Sequence, residues 1–204
     1  MTEQDAHDWV AARFGPSATE RVARFANQVI AESENQNLIS RSTLETIWSR
    51  HILDSAQLIP LAGDVGSETR WLDIGSGAGF PGVIVALLTQ AQMTLVEPRR
   101  RRVDFLCAAL ADALNATILT ARVEAVTLPP QHVISARAVA PVDDLLRATR
   151  HVADISTHYI LPRGRSVHSE LESARRGWHG LFHVEPSITD AESGILIAEK
   201  VRIR

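Results

Sequence analysis

The sequence predicts an α/β fold: a mostly parallel, Rossmann-like sheet closed by an antiparallel C-terminal hairpin and preceded by a helical N-terminal extension. Three observations predict it. From residue 70 onward, short β-favouring runs alternate with helical ones, and such alternation with right-handed crossovers builds a parallel sheet covered on both faces. The last two strand-like runs, 182–185 and 194–202, are joined only by the short loop Pro186 to Ser193, so they should pair antiparallel. Residues 1–60, by contrast, carry helical periodicity.

Taken in order, Asp8 to Phe14 reads as a short helix ended by Gly15-Pro16. Ser17 and Glu20 form a capping-box pattern before Val22, Phe25, Ala26, Val29 and Ile30, a second helix running to about Ser33. Ser42 and Glu45 repeat that pattern before a third helix, expected to run to Ile59 and stop at Pro60. Within it, Arg50, His51 and Asp54 share one helical face at spacings of three and four; spacing alone favours a surface ion pair over a polar cluster facing a pocket. Strands are expected at 70–74, 93–96, 117–120, 132–135 and 158–161, and helices at 81–90, 99–114, 142–152 and 166–176. The chain thus divides into a helical extension, 1–60, and a ligand-binding α/β domain, 61–204.

Composition bounds the possibilities. The chain has 204 residues, of which 45% are hydrophobic and 22% charged, the make-up of a globular protein. A polar, acidic N-terminus and the lack of a long apolar run predict neither a signal peptide nor a membrane span. Cys107 is the single cysteine, which excludes a disulfide framework and fits a cytoplasmic location. It falls in an apolar helical stretch, making it a poor nucleophile. His179 and His183 are unsupported as metal ligands, so no metal is expected. With a net charge of −3, an RNA partner would need local basic patches. Arg99 to Arg102 is one: four cations at a helix N-terminus oppose the helix dipole, and RNA phosphates would offset that.

The stretch that carries the chemistry is Trp71-Leu-Asp-Ile-Gly-Ser-Gly-Ala-Gly-Phe-Pro-Gly82. It reads strand, tight turn, helix. Gly75, Gly77 and Gly79 let the backbone bend and approach a ligand, with N–H groups at the helix start aimed at it. Gly77 to Gly82 matches the dinucleotide string G-x-G-x-x-G. Asp73, two residues before the first glycine, sits poorly beside a pyrophosphate, and together with the three glycines it resembles the S-adenosylmethionine (SAM) loop of class I methyltransferases. Glu97 ends the next strand, 18 residues after Gly79, where such folds bind ribose hydroxyls. Beyond the third core strand, Glu124 or its neighbouring backbone lies where an adenine amino group would be met. The fourth core strand runs into Ser135-Ala-Arg137-Ala-Val-Ala-Pro141, where SAM enzymes seat the methyl acceptor. No Asn/Asp-Pro-Pro-aromatic tetrapeptide is present, which leaves Arg137 as the candidate catalytic group.

Together these motifs resemble the RsmG (GidB) family of bacterial methyltransferases that act on a guanine N7 of 16S ribosomal RNA. The matching residues are Asn37-Leu38, Arg50 to Ser55, Leu72 to Gly82, Arg102 to Leu106, Arg122-Val-Glu124, Ser135 to Pro141 and Pro162-Arg-Gly164. The resemblance implies a class I SAM-dependent methyltransferase in which Gly75, Phe80, Val123, Glu124 and Arg137 contact the cofactor or line the transfer site. It also implies 16S ribosomal RNA or the small ribosomal subunit as substrate; the protein is expected to act as a monomer. Two departures stand out: Ala136 separates Ser135 from Arg137, and Arg163 stands where many members have lysine.

Overall fold

The computed structural model describes Met1 to Arg204. Seven strands form one sheet: β1 (Arg70–Ile74), β2 (Gln92–Val96), β3 (Ala116–Leu119), β4 (Val133–Ala136), β5 (His158–Arg163), β6 (Trp178–Pro186) and β7 (Gly194–Ile203). Their order is β3-β2-β1-β4-β5-β7-β6, with β1 to β5 mutually parallel and β7 antiparallel to both β5 and β6. The chain order reverses at β1, between β2 and β4. Ligands of open α/β sheets bind outside the carboxyl ends of the strands at such a switch point.

The helices begin with α1 (Glu3–Phe14) and α2 (Pro16–Glu32). Short helices α3 (Leu53–Ala56) and α4 (Leu58–Leu61) follow, and the crossovers carry α5 (Gly82–Leu88), α6 (Arg100–Ala109), α7 (Val142–Ala148) and α8 (Val167–Gly177). Two apolar clusters flank the sheet. One joins Phe25, Val29 and Ile52 of the N-terminal helices to Phe80, Val83, Ile84 and Leu106, so the N-terminal segment shares a core with the sheet. The other joins Leu72, Val96 and Val123 to Leu145, Leu146 and Trp178. No helix is long and apolar enough to cross a membrane.

Several local expectations are corrected. Neither Ser17–Glu20 nor Ser42–Glu45 forms a capping box. Gly15 caps α2 with φ of 80° and Pro16 takes its first turn, while Ser42 bonds Ser40 in a 3₁₀ turn. The capping box that forms is Thr2 with Asp5, opening α1 earlier than expected. The expected helix 42–59 is broken into a 3₁₀ turn at Arg41–Thr43, a π turn at Trp48–Ile52, then α3 and α4. The reason is tertiary: the Glu3 carboxylate of α1 accepts from the N–H groups of Trp48 (2.9 Å) and Ser49 (2.8 Å), satisfying donors there that no local residue satisfies. Pro60 lies in the first turn of α4 rather than ending a helix, because a proline lacks only an N–H that is free there anyway. Cys107 faces solvent.

Candidate active site

Asp73, the penultimate residue of β1, has no solvent exposure. Its Oδ1 accepts from Ser135 Oγ (2.8 Å) on the neighbouring strand β4, and its Oδ2 from the Gly82 N–H (3.2 Å) at the start of α5. Ser135 Oγ in turn accepts from Trp71 Nε1 at 3.0 Å, so a buried chain Trp71–Ser135–Asp73–Gly82 ties two strands to the helix start. A Cβ at position 82 would lie 2.6 Å from Asp73 Oδ2, so only glycine lets the carboxylate approach this helix. Burial pushes the Asp73 carboxyl up to about 6, against the opposing pull of its hydrogen bonds and of Arg137.

Glu97, at the end of β2, is also buried. Its Oε2 accepts from the Gly77 N–H (3.0 Å) and its Oε1 from the Arg99 N–H (2.8 Å). It therefore fixes the glycine turn and the entry to α6, with each oxygen keeping a second lone pair. Gly75 has φ of 62° and supports the loop after β4 directly: a Cβ there would meet Val139 Cγ2 at 2.7 Å. Gly77 and Gly79 also have positive φ. Val123 is buried in the same apolar cluster as Ile74 and Val96, and Glu124 follows it, exposed, in the 3₁₀ turn Val123–Ala125.

Phe80 is buried between two polar groups. The His51 ring stacks on it at 5.1 Å, and the Arg137 guanidinium sits 5.3 Å from its centroid. Arg137 Nη1 donates to Asp54 Oδ2 at 3.3 Å, with both side chains about four-fifths buried. Burial lowers the Arg137 pKa, and Asp54 opposes that shift. His51 Nε2 meets Thr43 Oγ1 at 2.8 Å, while its Nδ1 is buried without a partner. Burial, helped by Arg137 and Arg50, pulls His51 down to about 3, so the ring is neutral. The bland reading of Arg50-His51-Asp54 as a surface pair is thus corrected. The three do not pair with each other: Arg50 reaches Asp190 (3.2 Å), His51 faces Phe80, and Asp54 holds Arg137.

The loop between β6 and β7 completes the wall. Thr189 Oγ1 donates to Asp54 Oδ1 (3.0 Å), Gln57 Nε2 donates to the same oxygen (2.9 Å), and Gln57 Oε1 accepts from the Ile188 N–H (3.0 Å). Between this loop, the Arg137–Pro141 segment and the end of β5 lies a cavity of about 540 Å³. Arg137 lines it; the glycine turn does not. Arg163 and Glu170 line its far side. Gln57 and Thr189 carried no sequence signal for this wall, because the partners they reach across it lie 131 and 135 residues away. Glu170 carried none because its neighbours Arg163 and Ser166, though close in sequence, border a cavity that only folding forms.

The Arg99–Arg102 run is not uniformly free. Arg100 pairs with Asp104, while Arg101 and Arg102 donate to the carbonyls of Asn35 and Asn37, just beyond α2. Cations are favourable near a helix C-terminus.

A parallel sheet with this strand order, an antiparallel β7, a glycine turn after β1 and buried acids ending β1 and β2 define a class I SAM-dependent methyltransferase. The TehB-like SAM-dependent methyltransferase of Corynebacterium glutamicum superposes with a TM-score of 0.58 at 16% identity, covering 83% of this chain and 98% of that one. An rRNA methylase of Streptococcus thermophilus superposes at 0.53 with 13% identity, covering 72% and 95%. The chain belongs to the GidB family, rRNA small subunit methyltransferase G, whose model matches residues 18–194. It is 45% identical to the ribosomal RNA small subunit methyltransferase G of Rhizorhabdus wittichii, over 100% of this chain and 95% of the relative. The protein of the same name from Zymomonas mobilis is 41% identical, over 98% and 95%.

Proposed function

We propose that the protein transfers a methyl group from SAM to N7 of a guanine in 16S ribosomal RNA of the small subunit. The relatives' shared name supports small-subunit RNA as the substrate. The residues present fit the cofactor. Glu97 has lone pairs left for ribose hydroxyls, Gly75 and Gly77 form beside it a tight turn in which a Cβ would press on Val139 and Arg102, and Arg137 supplies a cation beside Phe80. Val123 and Glu124 would flank the adenine.

One observation carries the N7 reading: the cavity beside Arg137 holds no proton-accepting group that lacks a neighbouring cation. No histidine lines it, and both of its carboxylates face a cation, Asp54 with Arg137 and Glu170 with Arg163. Guanine N7 has a lone pair and no proton, so its attack on the sulfonium methyl needs alignment and electrostatics rather than proton removal. SAM supplies the electrophilic methyl. The chain's part is to fix Arg137 against Asp54 and Phe80 at the boundary between cofactor and acceptor, and to exclude water there.

The test is methyl transfer from labelled SAM to small subunits and to deproteinised 16S RNA from a strain lacking the gene, with cleavage at 7-methylguanine to map the product. Label at one guanine N7 is expected. Label elsewhere, or none with SAM binding intact, would overturn the reading. Arg137→Ala is expected to abolish transfer; unchanged transfer would remove Arg137 from the site.

A further inference from the structure

We infer that the cavity between the end of β5 and the start of α8 is the pocket for the acceptor base, and that Arg163 and Glu170 read its Watson–Crick edge as guanine. This rests on the reading of the protein as an RNA guanine methyltransferase.

Arg163 ends β5 with its side chain only 5% exposed, and Glu170 lies one turn into α8 at 21%. Arg163 Nε is 3.3 Å from Glu170 Oε2, yet Arg163 Nε, Arg163 Nη2 and Glu170 Oε2 all lack a hydrogen-bond partner. Ser166 Oγ holds the other carboxylate oxygen at 2.7 Å, which aims the unused one. Buried polar atoms without partners are costly, and because both residues border the cavity a small turn of either side chain would bring them to a ligand there.

The cavity, about 540 Å³, falls in the range of small-molecule pockets. Ala140, Pro141, Pro162 and Ile195 give it flat or apolar walls suited to a base. The unpaired groups are guanidinium donors next to a carboxylate acceptor. Guanine alone among the four bases presents the complement: an O6 acceptor followed by the N1–H and N2–H donors. Adenine and cytosine would set an amino donor against Arg163. Uracil matches O4 and N3–H but then places a second carbonyl against Glu170. Held by this edge, guanine keeps N7 free of contacts, as methylation requires.

The test compares wild type, Glu170→Gln and Glu170→Ala on small subunits carrying either guanine or inosine at the mapped position; inosine lacks the N2 amino group. Glu170→Gln keeps an oxygen near Arg163 and so preserves the fold, which a melting curve checks. Both variants are expected to lose about tenfold to a hundredfold in kcat/KM on guanine with SAM affinity unchanged. Wild type is expected to lose a similar factor on inosine, whereas Glu170→Ala loses little further. Variants that turn over like wild type on guanine, or losses from inosine and from Glu170→Ala that simply multiply, would overturn the pocket while leaving the methyltransferase reading intact. Wild type that labels no guanine would overturn both.

Discussion

Arg137 on the loop after β4 and Asp54 in α3 meet at 3.3 Å across 83 residues of sequence. This contact locks the N-terminal helices onto the carboxyl end of the sheet, where methyl transfer is proposed to occur. Because both partners are mostly buried, removing either leaves an uncompensated charge.

Asp54→Ala is therefore expected to destabilise the protein by about 3–5 kcal/mol and to depress methyl transfer. Asp54→Asn, which keeps bonds to Gln57 and Thr189, should fold better yet still slow transfer. Melting curves beside methyl-transfer rates check the split.

Ser135→Ala removes the hydroxyl between Trp71 Nε1 and Asp73 Oδ1. It leaves a buried indole N–H unpaired, and a loss of about 1–3 kcal/mol is expected. Denaturant unfolding measures it. The Asp73 carboxyl, short of one donor, should titrate higher still.

Gly82→Ala places a methyl 2.6 Å from Asp73 Oδ2. The helix start and the carboxylate must separate, breaking the Gly82 N–H bond. Loss of stability and weaker SAM binding are expected together, read by calorimetric titration and thermal melting.

Asp73 and His51 make opposing contributions to stability over the same pH window. The Asp73 pKa is raised to about 6, so between its ordinary value of 3.8 and 6 the native state binds more protons and stability falls as pH rises. The His51 pKa is lowered to about 3, so between 3 and its ordinary value of 6.5 the native state binds fewer protons and stability rises with pH. Between pH 4 and 6 the two slopes oppose. Asp73→Asn is expected to steepen the rise with pH, and His51→Phe to expose the fall. Urea midpoints of the three proteins at pH 4, 5 and 6 check the signs.

Much of the fold was legible because its signals are local. The strand runs and their alternation with helices follow from apolar periodicity, and β1–turn–α5 from three alternate glycines before Pro81. The positions of Asp73 and Glu97 at strand ends were readable for the same reason. Their hydrogen bonds were not: Asp73 turned out to hold Gly82 and Ser135, and Glu97 to hold Gly77 and Arg99. Helix starts were misread where a local pattern competed with a distant partner. Ser42–Glu45 looked like a cap, but Glu3, 45 residues before Trp48, supplies the acceptor that starts that segment.

The class of fold, the glycine turn and the family are each written in neighbouring residues whose spacing matches a helix, a strand or a turn. Folding is what pairs Asp54 with Arg137, stacks His51 on Phe80, and sets Arg163 and Glu170 beside one cavity. Those pairings depend on which ends of which elements the sheet order brings together. Burial then converts each from an ordinary surface charge or ring into a group whose partner governs its energy.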